Sequence, residues 1–272
     1  MGNNAAEQRQ SDRQGTGLIL VATAFSALAV LGFQAIASRA LGADAFAPVA
    51  LLWTMMFLLH TVLLLPAEQH LTRALVVTRT RSQIAKVGRE MSGAFLAALT
   101  VGVAFTTATL DRLFDGSAAY VLLIAAIVVA RAVMAAGRGL LAGNRRFAAY
   151  GASIALEAAA LLIGALVVAR TDGGAVAFGS VIVVAPLATL FTRPFGSRDH
   201  DEHHHADDAQ PGTFLAWLIA ATAASQLIIA GGPIAVSFVG GDAAAVSIFF
   251  TSFALLRGCL LYTSPSPRDL LS

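Results

Sequence analysis

An all-α protein that crosses the bilayer many times is the fold class this sequence predicts, and three observations carry that reading. The runs 21–36, 49–65, 91–110, 118–130, 148–168 and 175–190 hold almost no charge, and with modest extension each reaches the ~20 mostly apolar residues a spanning helix needs. They are not the alternating ~10-residue segments of a barrel, so helices are what can satisfy their backbone in lipid. The chain is 57% hydrophobic and 12% charged, against about 25% charged for an average soluble domain.

Taken in order, the predicted spans are 17–38, 46–65, 91–110, 118–136, 148–169, 174–192, 213–239 and 244–262. A polar tail, 1–16, leads into the first of them without a small-residue cleavage site, so no removable signal peptide is expected. The segments between spans alternate in charge. Arg9 and Arg13, then Arg73, Arg79, Arg81, Lys86 and Arg89, then Arg138, Arg145 and Arg146, then Arg193 and Arg198 fall on one side. The other side has Arg39, Arg112 and Arg170. Cytoplasmic loops retain positive charge, which puts the N-terminus in the cytoplasm. The formal charge of +2 is too small for a nucleic-acid footprint, and the single cysteine, Cys259, excludes an internal disulfide framework.

Two connecting segments have patterns of their own. Residues 67–90 interleave Leu71, Ala74, Leu75, Val76, Ile84 and Val87 with positive charges. That pattern fits a basic helix lying at the interface, although a solvated connector obeying the positive-inside rule accounts for it more simply. Residues 193–212 contain Asp199, His200, Asp201, Glu202, His203, His204, His205, Asp207 and Asp208. Such clusters bind zinc or nickel when their spacing is fixed. No fixed spacing is evident, and a polar cytoplasmic linker is the preferred reading, with no metal site.

Ionisable groups inside spans are costly and face a cavity or a partner, which selects His60, Arg131 and Glu157. Arg131 lies roughly 9 Å inside the cytoplasmic end of the fourth span and Glu157 roughly 13–14 Å inside the same end of the fifth. Adjacent antiparallel helices therefore bring them within reach, as a pair that locks the two helices. The functional alternative has Arg131 meeting a phosphate in a cavity, a role its planar guanidinium suits. His60 reads as a neutral histidine bonded to a neighbouring helix, with proton coupling as the alternative. Gln34 reads as interhelical packing before substrate contact. Pro186, and Gly231-Gly232-Pro233, should kink or interrupt their helices. No Walker loop, metalloprotease motif or nucleophile–base arrangement is present, so neither an enzyme nor a cofactor is expected.

After the linker the pattern begins again: Leu41-Gly42-Ala43-Asp44-Ala45 follows the first span and Val239-Gly240-Gly241-Asp242-Ala243 the seventh. Ser38-Arg39-Ala40-Leu41-Gly42-Ala43-Asp44-Ala45-Phe46 resembles the turn after the first helix in bacterial polysaccharide flippases. Glu68-x-x-Leu71-Thr72-Arg73 resembles their segment after the second helix. Arg138-Gly139-Leu140-Leu141-Ala142-Gly143-Asn144-Arg145-Arg146-Phe147 resembles their loop between the fourth and fifth. These proteins form part of the multidrug/oligosaccharidyl-lipid/polysaccharide exporter superfamily, and the likeness runs over residues 17–258.

The resemblance implies a MATE-like transporter of two six-helix lobes around a central cavity. On that scheme 17–192 is the N-terminal six-span lobe, 193–212 the cytoplasmic linker and 213–258 the first helices of a second lobe. Residues 259–272 look like sequencing-adapter read-through, so authentic sequence is expected to end near Gly258. The implied function is a flippase that moves lipid-linked oligosaccharide across the bacterial cytoplasmic membrane by alternating access. Its expected partners are that substrate, membrane lipids and glycan polymerase or assembly proteins, with no nucleic acid. A cation-coupled multidrug exporter and a peptidoglycan-precursor flippase are the alternatives within the superfamily. A non-transporting scaffold for envelope-glycan assembly is the alternative outside it.

Overall fold

The computed structural model describes residues 2–77, 81–196 and 211–230, with Ala235, Val239, Ile248 and Ser252 beyond them. Among these residues there is no strand, and five apolar helical stretches are long enough to cross a membrane: Gly17–Val76, Ala85–Ala108, Ala119–Gly143, Phe147–Arg170 and Ala175–Thr192. The chain is an all-α polytopic membrane protein by the length and composition of its helices.

Helix α1 (Gly2–Leu59) contains the first predicted span and most of the second, broken at Gly42, where φ is 76° and ψ 171°. That conformation is open to glycine and costly for a residue with a Cβ. Phe33 and Trp53 would lie about 30 Å apart on one straight helix. Their rings instead stack with centroids 5.3 Å apart, so the two arms fold back on each other. Phe178 meets Phe33 edge-on at 6.2 Å, and around this trio the main apolar core gathers Leu52, Ile124, Ile127 and Ile182.

A π-helical turn, His60–Leu64, follows α1 and leads into α2 (Leu65–Val77). Pro66 explains the wide turn. In a regular α-helix its ring would press on the Val62 carbonyl, and it has no N–H to offer that oxygen. Helix α3 (Arg81–Ala108) runs back, and a short α4 (Leu110–Leu113) precedes α5 (Ala119–Gly143). Helix α6 (Phe147–Arg170) runs parallel to the first arm of α1: a Cβ on Gly15 would meet Phe147, on Gly32 Leu162, and Gly151 abuts Leu18. Helix α7 (Ala175–Val184) passes into a 3-10 helix, Ala185–Thr192, with Pro186 at its start. The expected interruption at Pro186 is thus a change of helix type. Helix α8 (Pro211–Ala230) packs on α2, the π-turn and α1.

The segment 67–90 differs from expectation. Helix α2 continues past the predicted end of the second span to Val77, and α3 resumes at Arg81, ten residues before the predicted third span. Leu71, Ala74, Leu75 and Val87 are buried in a second, smaller cluster with Met91 and Leu140. These four residues of the pattern are turned into the protein, whereas Val76 is exposed. The His/Asp-rich linker residues 199–208, the helix-break candidates Gly231, Gly232 and Pro233, and the tail 259–272 lie outside the described residues.

Candidate functional site

The polar centre of the molecule lies between α5 and α6. Arg131 and Arg138 are two turns apart on one face of α5, about 10 Å along its axis. The turn 144–146 reverses the chain and sets Glu157 of α6 level with a point between them. The Glu157 carboxylate takes both: Oε1 accepts from Arg131 Nη1 at 2.7 Å and Oε2 from Arg138 Nη2 at 2.7 Å. Each residue of this trio is largely buried, with side-chain exposures of 10% for both arginines and 13% for Glu157.

Arg138 also donates through Nε to Ser153 Oγ at 3.0 Å, and that hydroxyl donates to the Tyr150 carbonyl at 2.7 Å. The Tyr150 hydroxyl in turn donates to Glu68 Oε1 of α2 at 3.1 Å. The two 2.7 Å bonds to Glu157 have the length of charge-assisted hydrogen bonds, roughly twice as strong as neutral ones. Arg131 Nη1 has a further contact with Met134 Sδ at 3.7 Å. Arg131 Nε and His60 Nδ1 are buried with no protein partner among the described residues. His60 is the first residue of the π-turn, which packs against α5 as well as α2 and α3. Gln34 is buried on α1 beside Phe33 and Ala37, and is not a member of the ion cluster.

Of the residues singled out from the sequence, the structure therefore brings together Arg131 and Glu157. Sequence reasoning assigned Arg138 to a cytoplasmic loop because it ended the fourth span at 136, whereas α5 runs on to Gly143. Glu68, Tyr150 and Ser153 were likewise missed as members of the network. The signal available was spacing: 131 and 138 repeat over seven residues on α5, and 150, 153 and 157 over three and four on α6, so each set lies along one face.

The motif segments after the second and fourth spans meet in space. A Cβ on Gly139 would sit 2.9 Å from Leu71 Cδ2 and 3.1 Å from the Glu68 carbonyl, and one on Gly143 2.7 Å from Leu75 Cβ. Thr72 Oγ1 donates to the Glu68 carbonyl at 3.0 Å and lies 3.4 Å from the Gly139 carbonyl. Small residues let helices approach this closely in a membrane. At the next turn, Arg146 donates to the carbonyls of Arg193 at 3.0 Å and Thr192 at 3.2 Å, closing the end of the 3-10 helix. On the same side His70 of α2 and Glu90 of α3 are joined at 2.7 Å.

Among the described residues no group of three or more His, Cys, Asp or Glu side chains could hold a metal ion. No family model, no curated protein and no solved structure matches the chain.

Proposed function

We propose that this chain acts as a membrane flippase, moving a lipid-linked oligosaccharide from the cytoplasmic to the outer leaflet by alternating access. The observation that carries the reading is the buried pair of guanidiniums, Arg131 and Arg138, converging on one carboxylate between two apolar helices. Intramembrane charges are costly and mark substrate or ion pathways, and guanidinium geometry matches phosphate oxygens. The flippase-like motifs add support because their residues have physical work here: Gly42 makes the reversal, and Gly139 and Gly143 seat α2 against α5. The charge asymmetry of the loops supports a cytoplasmic N-terminus.

The test is Arg131→Ala in cells that depend on the protein for glycan export. The variant should insert at wild-type level while lipid-linked glycan accumulates on the cytoplasmic face. Loss of a hydrogen bond to a charged group, about 1.5–3 kcal/mol, should slow export by about 10–100-fold. Normal export would remove the cationic contact from the mechanism and favour a scaffold.

A further inference from the structure

Although α5 and α6 are consecutive and antiparallel, they touch little. Helix α5 packs on α2, α3 and α7, and α6 on α1 and the 3-10 helix. Glu157 of α6 joins the two helices, with one oxygen on each guanidinium at 2.7 Å. A carboxylate in that position occupies the place a bridging anion would take. Beside it, Arg131 Nε is a buried polar atom that Glu157 does not reach.

We infer that Glu157 is a tethered counter-ion, holding Arg131 and Arg138 until an anion of the phosphate or pyrophosphate class displaces it. The inference rests on the flippase reading only for where that anion comes from, a lipid headgroup. A carboxylate has two oxygens and both are used. A phosphoryl group has more acceptors and can take Arg131 Nε as well. Because the tether competes, the apparent affinity falls by the fraction of time the arginines are free. The site therefore binds its anion reversibly and is never left with two bare cations in a low-dielectric layer.

The full chain is purified in detergent as wild type and Glu157→Gln, then titrated with inorganic pyrophosphate and with farnesyl pyrophosphate while thermal unfolding is followed. The Gln variant should melt below wild type, and pyrophosphate should restore its melting temperature. Its half-saturating concentration should be at least about tenfold below that of wild type, the tether having been removed. Tighter response to farnesyl pyrophosphate assigns the headgroup of a lipid as the source, and tighter response to the inorganic ion assigns a free anion. Equal half-saturation in both proteins, or equal rescue by sodium chloride at matched ionic strength, would overturn the proposal. Should Glu157→Gln not fold, Glu157→Asp carries the same comparison, since its shorter carboxylate retains charge but cannot bridge both arginines. Anion rescue alongside normal export by Arg131→Ala would retain this site and reject the flippase reading alone.

Discussion

Between Tyr120 and Val128 the buried residues of α5 are Tyr120, Leu123, Ile124, Ile127 and Val128, whereas from Arg131 onward they include two arginines and Gly137, Gly139 and Gly143. One helix thus packs by two different means. In lipid the apolar half gains little from being hidden, because the hydrocarbon outside is as apolar as the core, and shape complementarity and dispersion must hold it. The other half is held by contacts that admit one register: a carboxylate shared by two guanidiniums, and glycines against which Leu71 and Leu75 close. The first half tolerates exchange of one hydrocarbon for another. The second half fixes which helix lies where.

Truncating the shared carboxylate should separate the halves most strongly. Glu157→Ala leaves two buried guanidiniums without their counter-ion, and breaking a buried pair in this way costs about 3–5 kcal/mol. Equilibrium unfolding in mixed micelles measures it, and a loss below about 1 kcal/mol would mean the trio is solvated like a surface pair. Next comes Gly143→Ala, whose added methyl would lie 2.7 Å from Leu75 Cβ and Cδ1. Overpacking of this kind costs about 1–3 kcal/mol, and the same unfolding assay should show it rescued in part by Leu75→Ala. Smallest should be Ile127→Leu in the apolar half, a volume-conserving change at a fully buried position that should cost less than about 1.5 kcal/mol. An Ile127→Leu loss as large as that of Glu157→Ala would dissolve the contrast between the halves.

Much of the helical layout was legible because apolar length is a direct physical requirement of the bilayer. The reversal at Gly42 could be read from a glycine and an aspartate between two apolar runs. The approach of Arg131 to Glu157 followed from their depths on antiparallel neighbours. What escaped was the inner end of the helices. Positive charge marks the cytoplasmic side, so Arg138 looked like a loop residue. Nothing in its identity reveals that Ser153 and Glu157 draw it inward. The same rule made 67–90 look like a connector, although its Leu71 and Leu75 are the complement of Gly139 and Gly143, sixty-odd positions away. Pairings between distant segments leave no periodic trace in either segment. The π-turn was also invisible in advance: Pro66 predicts a disturbance but not the type of turn that absorbs it.

The oxygen of Val62, which Pro66 cannot satisfy, lies 3.5 Å from Thr222 Oγ1 of α8, a hydroxyl that also reaches its own helix at Leu218 O at 2.8 Å. Those two positions are 160 residues apart in the chain. A ribosome adding about 5–20 residues per second takes on the order of 10–30 s to make that stretch. For that interval the newly inserted second span carries this carbonyl without its later neighbour on α8. Assembly of this protein therefore has a chronology. An early helix is left unfinished on its α8 side, and a helix made much later completes it.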